Sequence, residues 1–151
     1  MFDLPDNEAH IWFASPGEGD DAAMADSARR VLDAGEIARM ERFHFPKDRR
    51  LFMASHLLVR QALSHYVGLP LEAWRFVRND HGKPAIDPAM ASPDLQFSLA
   101  HTAGLAVVAV TAMHDLGVDL ERMDRQVDAE GLIRRFFSPS EVAELEAVPP
   151  D

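Results

Sequence analysis

A run of nine residues in the second half of the chain constrains the fold more than any other feature. Residues Leu105–Met113 (LAVVAVTAM) are apolar at every position except Thr111, and the run is far too short to cross a bilayer. A strand that is apolar on both faces belongs inside a sheet, where neighbouring strands and covering side chains bury it. We therefore predict that this run is the central strand of a sheet.

Two flanking segments predict the neighbours of that strand. Leu95–His101 (LQFSLAH) and Leu116–Glu121 (LGVDLE) alternate apolar residues with polar or small ones, as half-buried strands do. Short turns at Thr102–Gly104 and His114–Asp115 connect them to the central run. The three segments are predicted to form an antiparallel meander.

The strongest helical signal lies upstream of these strands. It begins at Pro46, which suits a first helical turn because its missing N–H costs nothing there, and it ends at Gly68 and Pro70. Apolar residues such as Leu51 and Leu58 recur at helical spacing between these limits.

Weaker patterns predict the remaining elements, and together they place the chain in the α+β class, with an antiparallel sheet and packed helices. Strands are predicted at His10–Ala14 and Trp74–Arg78, helices at Asp20–Asp33, Glu36–Arg42 and Asp128–Arg135, and a last helix after the capping-box pattern Ser138–Glu141.

Composition narrows the classes of function. The net charge of −10 argues against nucleic-acid binding, and no cysteine is present to act as a nucleophile or metal ligand. Neither a long apolar stretch nor a signal-peptide pattern occurs, so we expect a cytoplasmic protein without a membrane partner. Basic residues nevertheless gather between positions 39 and 60, either to hold a small anion or as a solvated helix face.

Two carboxylates follow at strand spacing in the last predicted strand. Asp119 and Glu121 lie two residues apart, so their side chains leave the same face, about 7 Å apart at the backbone. Such a pair can converge on Mg²⁺, which prefers oxygen ligands and shares them with substrate phosphates. The alternative is the solvated face of a half-buried strand, with Val118 and Leu120 on the other face.

Two further segments carry groups suited to phosphate. His101 and Thr102 can offer a ring N–H and a hydroxyl to phosphate oxygens. In the preceding turn, Gly82 lets the backbone approach a ligand, Lys83 supplies a point charge, and Pro84 stiffens its position. A structural histidine at a strand end and an ordinary turn are the alternatives.

The order and spacing of these segments resemble the 4'-phosphopantetheinyl transferase family, in its surfactin-synthetase-activating form, which is two-lobed and monomeric. The likeness covers roughly residues 39–146. It rests on Arg42-Phe43, Asp48 with residues 57–60 (LLVR), residues 82–84 (GKP), residues 97–102 (FSLAHT), residues 117–121 (GVDLE), and residues 136–138 (FFS) with Glu141.

The resemblance implies a fold and an activity. Residues 1–115 would form the N-terminal lobe and residues 116–151 the start of the C-terminal lobe of a fold with pseudo-twofold symmetry. The activity would be the Mg²⁺-dependent transfer of 4'-phosphopantetheine from coenzyme A to a serine of an apo acyl or peptidyl carrier protein, a holo-[acyl-carrier-protein] synthase activity.

The resemblance also implies roles for individual residues. Asp119 and Glu121 would bind Mg²⁺ and, with His101, would form the catalytic group, while Lys83 and His101 would hold phosphates of coenzyme A. The whole implied coenzyme A site comprises Arg39, Arg49, Arg50, Gly82, Lys83, Pro84, Leu99, Ala100, His101 and Thr102.

The sequence departs from the family pattern at several positions. Ala100 stands where the family usually has serine, and Glu36 stands at a second basic position. Leu51 replaces an arginine for which Arg49 and Arg50 are neighbouring substitutes.

The largest departure is at the end of the chain. The family has a later helix that bears Trp, Lys and Glu, whereas this sequence ends at Pro149–Asp151. We expect the chain to lack the C-terminal part of the family domain, and therefore to be marginally stable or to self-associate. Two alternatives remain: a non-catalytic relative that binds coenzyme A or a carrier protein, and an unrelated Mg²⁺-dependent phosphoesterase using Asp119, Glu121 and His101.

Overall fold

The structure is a computed structural model that describes residues 3–17, 21–79, 82–90, 95–124 and 129–148, with only the backbone described at 129 and 130. The chain divides into two compact units, residues 1–121 and residues 122–151. The predicted lobe boundary after residue 115 stays a prediction.

The predicted helices lie close to their expected limits, although Asp128, the predicted cap of one of them, falls outside the described residues. The first unit contains, in chain order, β1 (Ala9–Ala14), α1 (Asp21–Val31), α2 (Ala34–Glu41), α3 (Pro46–Val67), a 3-10 turn (Leu71–Ala73), β2 (Phe76–Arg78), β3 (Pro84–Ile86), β4 (Leu95–Thr102) and β5 (Leu105–Ala112). The second unit contains α4 (Ala129–Phe136) and α5 (Pro139–Glu146). No helix of the described residues is long and apolar enough to cross a membrane.

Helix α3 is the long element on which the first unit is built. Pro46 occupies its first turn, and Gly68 ends it in the left-handed conformation with φ of 72°, donating its N–H to Ser64 O at 2.8 Å. Glycine adopts this conformation without the clash that a Cβ would cause. One face of α3, including Leu58 and Leu63, is buried.

Three antiparallel strands form the main sheet, in the order β1-β5-β4. The prediction that the apolar run is the central strand is confirmed, since Val108 of β5 pairs in register with Trp12 of β1 and with Leu99 of β4. A separate hairpin pairs β2 with β3, and two residues of its predicted turn, 80 and 81, lie outside the described residues.

The predicted meander is wrong in its third strand. Residues 116–121 form no strand in the described part of the chain, and β1 occupies the edge of β5 that the meander assigned to them. Alternation specifies which side chains share a face, but it does not specify which strand supplies the backbone partner. Side chains hold the segment instead, with Lys83 Nζ donating to Leu116 O at 2.7 Å.

The core lies between α3 and one face of the sheet. Trp74 and Val108 are completely buried there, and Phe97 is 3% exposed. A second cluster joins α1 and α2 to the start of α3 through Ala28, Met40 and Phe52. Each large apolar side chain buried in this way contributes roughly 1.5–3 kcal/mol to stability.

The second unit has no buried side chain among its described residues. Ser138 caps α5 by accepting from Glu141 N, and Glu141 accepts from Ser138 N at 2.7 Å, which confirms the predicted capping box. Phe136 is 68% exposed and Phe137 47% exposed.

Candidate functional site

A cavity of about 410 Å³ opens between the helices and the strands of the first unit. Its apolar wall includes four phenylalanines, and its charged groups are three arginines and two carboxylates. The residues that line it are Glu36, Arg39, Phe43, Asp48, Leu51, Phe52, Ser55, His56, Val59, Arg60, Phe76, Arg78, Pro84, Phe97, Leu99 and His101.

Glu36 joins two side chains of α3 at this cavity. Arg60 is 1% exposed and donates from Nη2 to Glu36 Oε2 at 2.6 Å and from Nη1 to Glu36 Oε1 at 3.2 Å. The ring Nδ1 of His56 lies 2.7 Å from Glu36 Oε1. The carboxylate therefore links α2 to α3 and fixes both α3 side chains.

The electrostatics of Glu36 follow from these contacts. Burial by itself would raise its pKa, but the hydrogen bonds from His56 and Arg60 outweigh burial and lower the pKa from 4.5 to about 2. Glu36 is therefore ionised at neutral pH, and its charge compensates that of buried Arg60.

Arg60 also contacts the aromatic wall of the cavity. Its guanidinium lies 4.9 Å from the ring centroid of Phe76, and its Nε, like that of Arg49, is buried with no hydrogen-bond partner among the described residues.

Four of the predicted coenzyme A residues meet at the cavity: Arg39, Pro84, Leu99 and His101. Strand alternation explains the last two, because Phe97, Leu99 and His101 leave the same face of β4. Arg39 reaches the cavity from α2, with its guanidinium 5.8 Å from the ring centroid of Phe52.

Ala100 and Thr102 are absent from the lining of this cavity, since they leave the opposite face of β4. Arg49 and Arg50 do not line it either. Arg49 donates to Phe43 O at 2.9 Å, and Arg50 pairs with Asp21 of α1 at 3.2 Å.

The turn before β3 carries the remaining predicted ligands. Gly82 has φ of 77° and accepts from the Arg78 guanidinium at 2.7 Å, so the turn is fastened to β2. Lys83 bonds to Leu116 O, yet an ammonium has three N–H donors and can still contact a phosphate.

Asp119 and Glu121 are both exposed on the segment that follows β5. Their oxygens fit the preference of Mg²⁺, and Asp119 Oδ1 accepts from Leu120 N at 2.8 Å. Among the described residues no group of three or more His, Cys, Asp or Glu side chains is placed to hold a metal ion. Two carboxylates would provide only some of the oxygen ligands that Mg²⁺ needs, so substrate oxygens and water would have to provide the others.

Sequence reasoning missed several residues of the cavity. Phe76 and Arg78 lie on a short hairpin strand whose partner is not visible from local pattern. Phe52 and His56 lie on α3 at a spacing of four residues that continues to Arg60, a member of the basic group noted in the sequence, and this helical spacing is the signal that places them on one face.

The chain is similar in sequence to known proteins. A family model described as 4'-phosphopantetheinyl transferase, N-terminal, matches residues 21–113, more than half of the chain. The 4'-phosphopantetheinyl transferase HetI of Nostoc sp. is 34% identical over 146 residues, 97% of this chain and 61% of the relative. A 4'-phosphopantetheinyl transferase of Bacillus subtilis is 32% identical over 81% of this chain and 57% of the relative.

A solved structure gives the same fold. It is a holo-(acyl-carrier-protein) synthase from Bacillus anthracis str. Ames in complex with CoA (3',5'-ADP), with a TM-score of 0.53 and 18% identity over 68% of this chain and 91% of that one. The antiparallel sheet with packed helices is therefore confirmed as the fold class. The chain spans little more than half the length of the curated relatives named above. The match over residues 21–113 shows that the chain belongs to the 4'-phosphopantetheinyl transferase superfamily.

Proposed function

We propose that this chain binds coenzyme A and takes part in the transfer of 4'-phosphopantetheine to a serine of an apo acyl or peptidyl carrier protein. The observation that carries the proposal is the meeting of Arg39, Pro84, Leu99 and His101 at one cavity with aromatic walls. Ring faces suit a planar base and cations suit phosphate, so the cavity fits the nucleotide part of coenzyme A.

Three side chains have tasks in phosphate binding in this proposal. Arg39 is the cation for the 3'-phosphate, while His101 and Lys83 bind phosphates nearer the pantetheine arm. Arg49 and Arg50, with their partners in Phe43 and Asp21, are assigned no contact with the ligand.

Asp119 and Glu121 are proposed as protein ligands of Mg²⁺. A magnesium ion held there would neutralise charge on the pyrophosphate that the reaction divides. The carrier serine oxygen would form a bond to the β-phosphorus, the bond to 3',5'-ADP would break, and the serine proton would leave to a base or to solvent. In this proposal the residues of the chain bind and orient coenzyme A and neutralise charge on its phosphates.

The test measures transfer and binding separately. The 151-residue chain is incubated with coenzyme A, Mg²⁺ and an apo carrier protein, and the intact mass of the carrier is recorded. We expect a gain of one phosphopantetheine, and we expect Asp119→Asn to slow that gain at least about hundredfold because a metal ligand is lost. Asp115→Asn is the matched control, since Asp115 is an exposed acid on the same segment.

The outcomes separate the proposed transferase from its two alternatives. Coenzyme A binding by calorimetry without mass gain would favour the non-catalytic binding relative. Release of phosphate from phosphoesters without a carrier protein would favour the phosphoesterase. Equal rates for Asp119→Asn and the control would remove Asp119 from the site.

A further inference from the structure

The segment that carries Asp119 and Glu121 has no strand to pair with among the described residues, yet it is held at regular intervals. Thr111 Oγ1 donates to His114 O at 2.8 Å, Lys83 Nζ donates to Leu116 O at 2.7 Å, and Ser98 Oγ accepts from Val118 N at 3.1 Å. The three bonds reach alternate residues, 114, 116 and 118. This repeat of two matches extended backbone, in which every second residue presents its polar groups to the same side.

Two of the three side chains come from the sheet face that α3 leaves uncovered. Ser98 pairs in register with Ala109, two residues before Thr111 on β5, so the two hydroxyls share that face. Ser98 is 8% exposed and Thr111 7% exposed. Lys83 reaches the same segment from the hairpin turn, 33 residues away along the chain.

Burying a hydroxyl on a strand lowers stability unless the hydroxyl is hydrogen-bonded. We therefore expect these two hydrogen-bonded hydroxyls to have a role in the folded chain. Valine and alanine supply the buried neighbours at Val107 and Ala109 without that cost. The two hydroxyls bond to backbone groups of His114 and Val118, in a segment that has no ladder partner among the described residues.

We propose that Ser98, Lys83 and Thr111 are positioning residues, a side-chain clamp that fixes residues 114–118 and thereby sets where Asp119 and Glu121 stand. The inference rests on the proposed Mg²⁺ role of those two carboxylates. Val118 precedes Asp119 directly, so loss of its bond to Ser98 frees the backbone at the first carboxylate. Lys83 adds a connection between the turn before β3 and the same segment.

The first test needs neither metal nor substrate. Amide hydrogen exchange at Val118 is measured by NMR in the wild-type chain and in Ser98→Ala, which removes the acceptor. We expect exchange about five- to tenfold faster in the variant, because one hydrogen bond is lost. Ser27→Ala, which deletes an exposed hydroxyl bonded to Ala23 O on α1, leaves Val118 exchange unchanged.

A hydroxyl-retaining variant guards against a change in the fold as the cause. Ser98→Thr keeps the acceptor, so we expect exchange at Val118 to stay slow. Thr111→Val removes the other hydroxyl at similar volume, and we expect it to accelerate exchange in residues 114–118 without disturbing the pairing of β1. Exchange at Val118 that is the same in Ser98→Ala and wild type would overturn the clamp.

The second test connects the clamp to the carboxylates. Mn²⁺ is the probe, with binding followed by electron paramagnetic resonance in the presence of coenzyme A, and we expect about tenfold weaker Mn²⁺ binding in Ser98→Ala, as for outer-shell partners of metal ligands. Faster exchange with unchanged Mn²⁺ affinity would overturn the positioning role. Wild-type chain that binds no Mn²⁺ would remove the proposed metal site and the positioning role with it, while the exchange result would still decide whether the clamp exists.

Discussion

The carboxylate of Glu36 connects two polar side chains of the cavity, those of His56 and Arg60. Glu36 satisfies both terminal nitrogens of Arg60, which is 1% exposed and has no access to bulk water. A buried guanidinium without its counter-charge is costly by several kcal/mol. Glu36 therefore does more than replace the basic residue that the family has at this position, because its charge also compensates the buried charge of Arg60.

The low pKa of Glu36 makes this dependence measurable. Because the folded pKa of about 2 lies below the ordinary 4.5, the contribution of Glu36 to stability is present above pH 4.5 and is lost as pH falls toward 2. We expect Glu36→Gln to lower the free energy of unfolding at pH 7 by on the order of 3 kcal/mol, and the gap to wild type to close between pH 4.5 and 2. Urea unfolding followed by circular dichroism at stepped pH measures both.

Glu41→Gln provides the comparison, since Glu41 is an exposed acid on the same helix. Its curve is expected to follow wild type throughout. A gap between Glu36→Gln and wild type that stays constant down to pH 2 would show that the side chain acts through packing and not through its charge.

The shared face of Leu99 and His101 could be read from sequence, because side chains of a strand alternate with a fixed period. Their roles as ligands of coenzyme A came from the resemblance alone. Helix residues such as Arg49 and Arg50 were harder to assign to a site. The direction of their side chains is set by Phe43 and Asp21, which belong to other parts of the chain. No local pattern reports such partners.

At the scale of elements, the sequence identified segments better than it identified neighbours. Helix α3 and the central strand β5 were predicted because apolar period and stop signals are local. The neighbour of β5 on its other edge was not, because β1 lies at the other end of the first unit and its sequence (HIWFA) does not indicate which strand it pairs with. Strand pairing depends on tertiary contacts that alternation does not encode.

The end of α3 gives a prediction for a single element. Gly68 has φ of 72°, where a Cβ clashes with the backbone, so we expect Gly68→Ala to cost about 1 kcal/mol of stability. Chemical unfolding measures the loss. Gly117→Ala is the matched substitution, because apart from its chain neighbours no described residue has an atom within 4 Å of the added Cβ, and its φ is outside the left-handed region.

We expect Gly117→Ala to change stability by less than about 0.5 kcal/mol. Equal losses in the two variants would mean that the left-handed conformation of Gly68 is not the reason for its cost. An unchanged midpoint in Gly68→Ala would mean that α3 ends elsewhere in solution.

At the scale of the whole molecule, the two units differ in how much they bury. The first unit has two clusters of buried side chains, whereas each described side chain of the second is at least partly exposed. Burial of apolar surface is the main source of stability against local opening. The local pattern of α4 gives no sign of this difference, because its apolar face is that of any amphipathic helix, and only the resemblance led us to expect an incomplete second lobe.

The difference in burial predicts a difference in hydrogen exchange. We expect peptides from residues 129–148 to exchange at least about a hundredfold faster than peptides from α3, as helices without a core open readily. Exchange followed by mass spectrometry on the intact chain measures both in one sample. Equal protection would show that the exposed apolar residues, among them Phe136 and Val148, are covered in solution, and dilution would then reveal whether self-association covers them.

The long-range pairing of β1 sets an order in which the chain acquires its structure. Trp74 donates to Ser64 Oγ at 2.8 Å, ten residues away, so this bond is local, whereas the burial of its ring also needs β4 and β5. Trp12 stands in register with Val108 and stacks on His65 with 4.7 Å between ring centroids, so its site is complete only after most of the first unit has been synthesised. Distant pairings form slowly because a long loop must close first. Trp12 is therefore a natural reporter of a late step in folding, the pairing of β1.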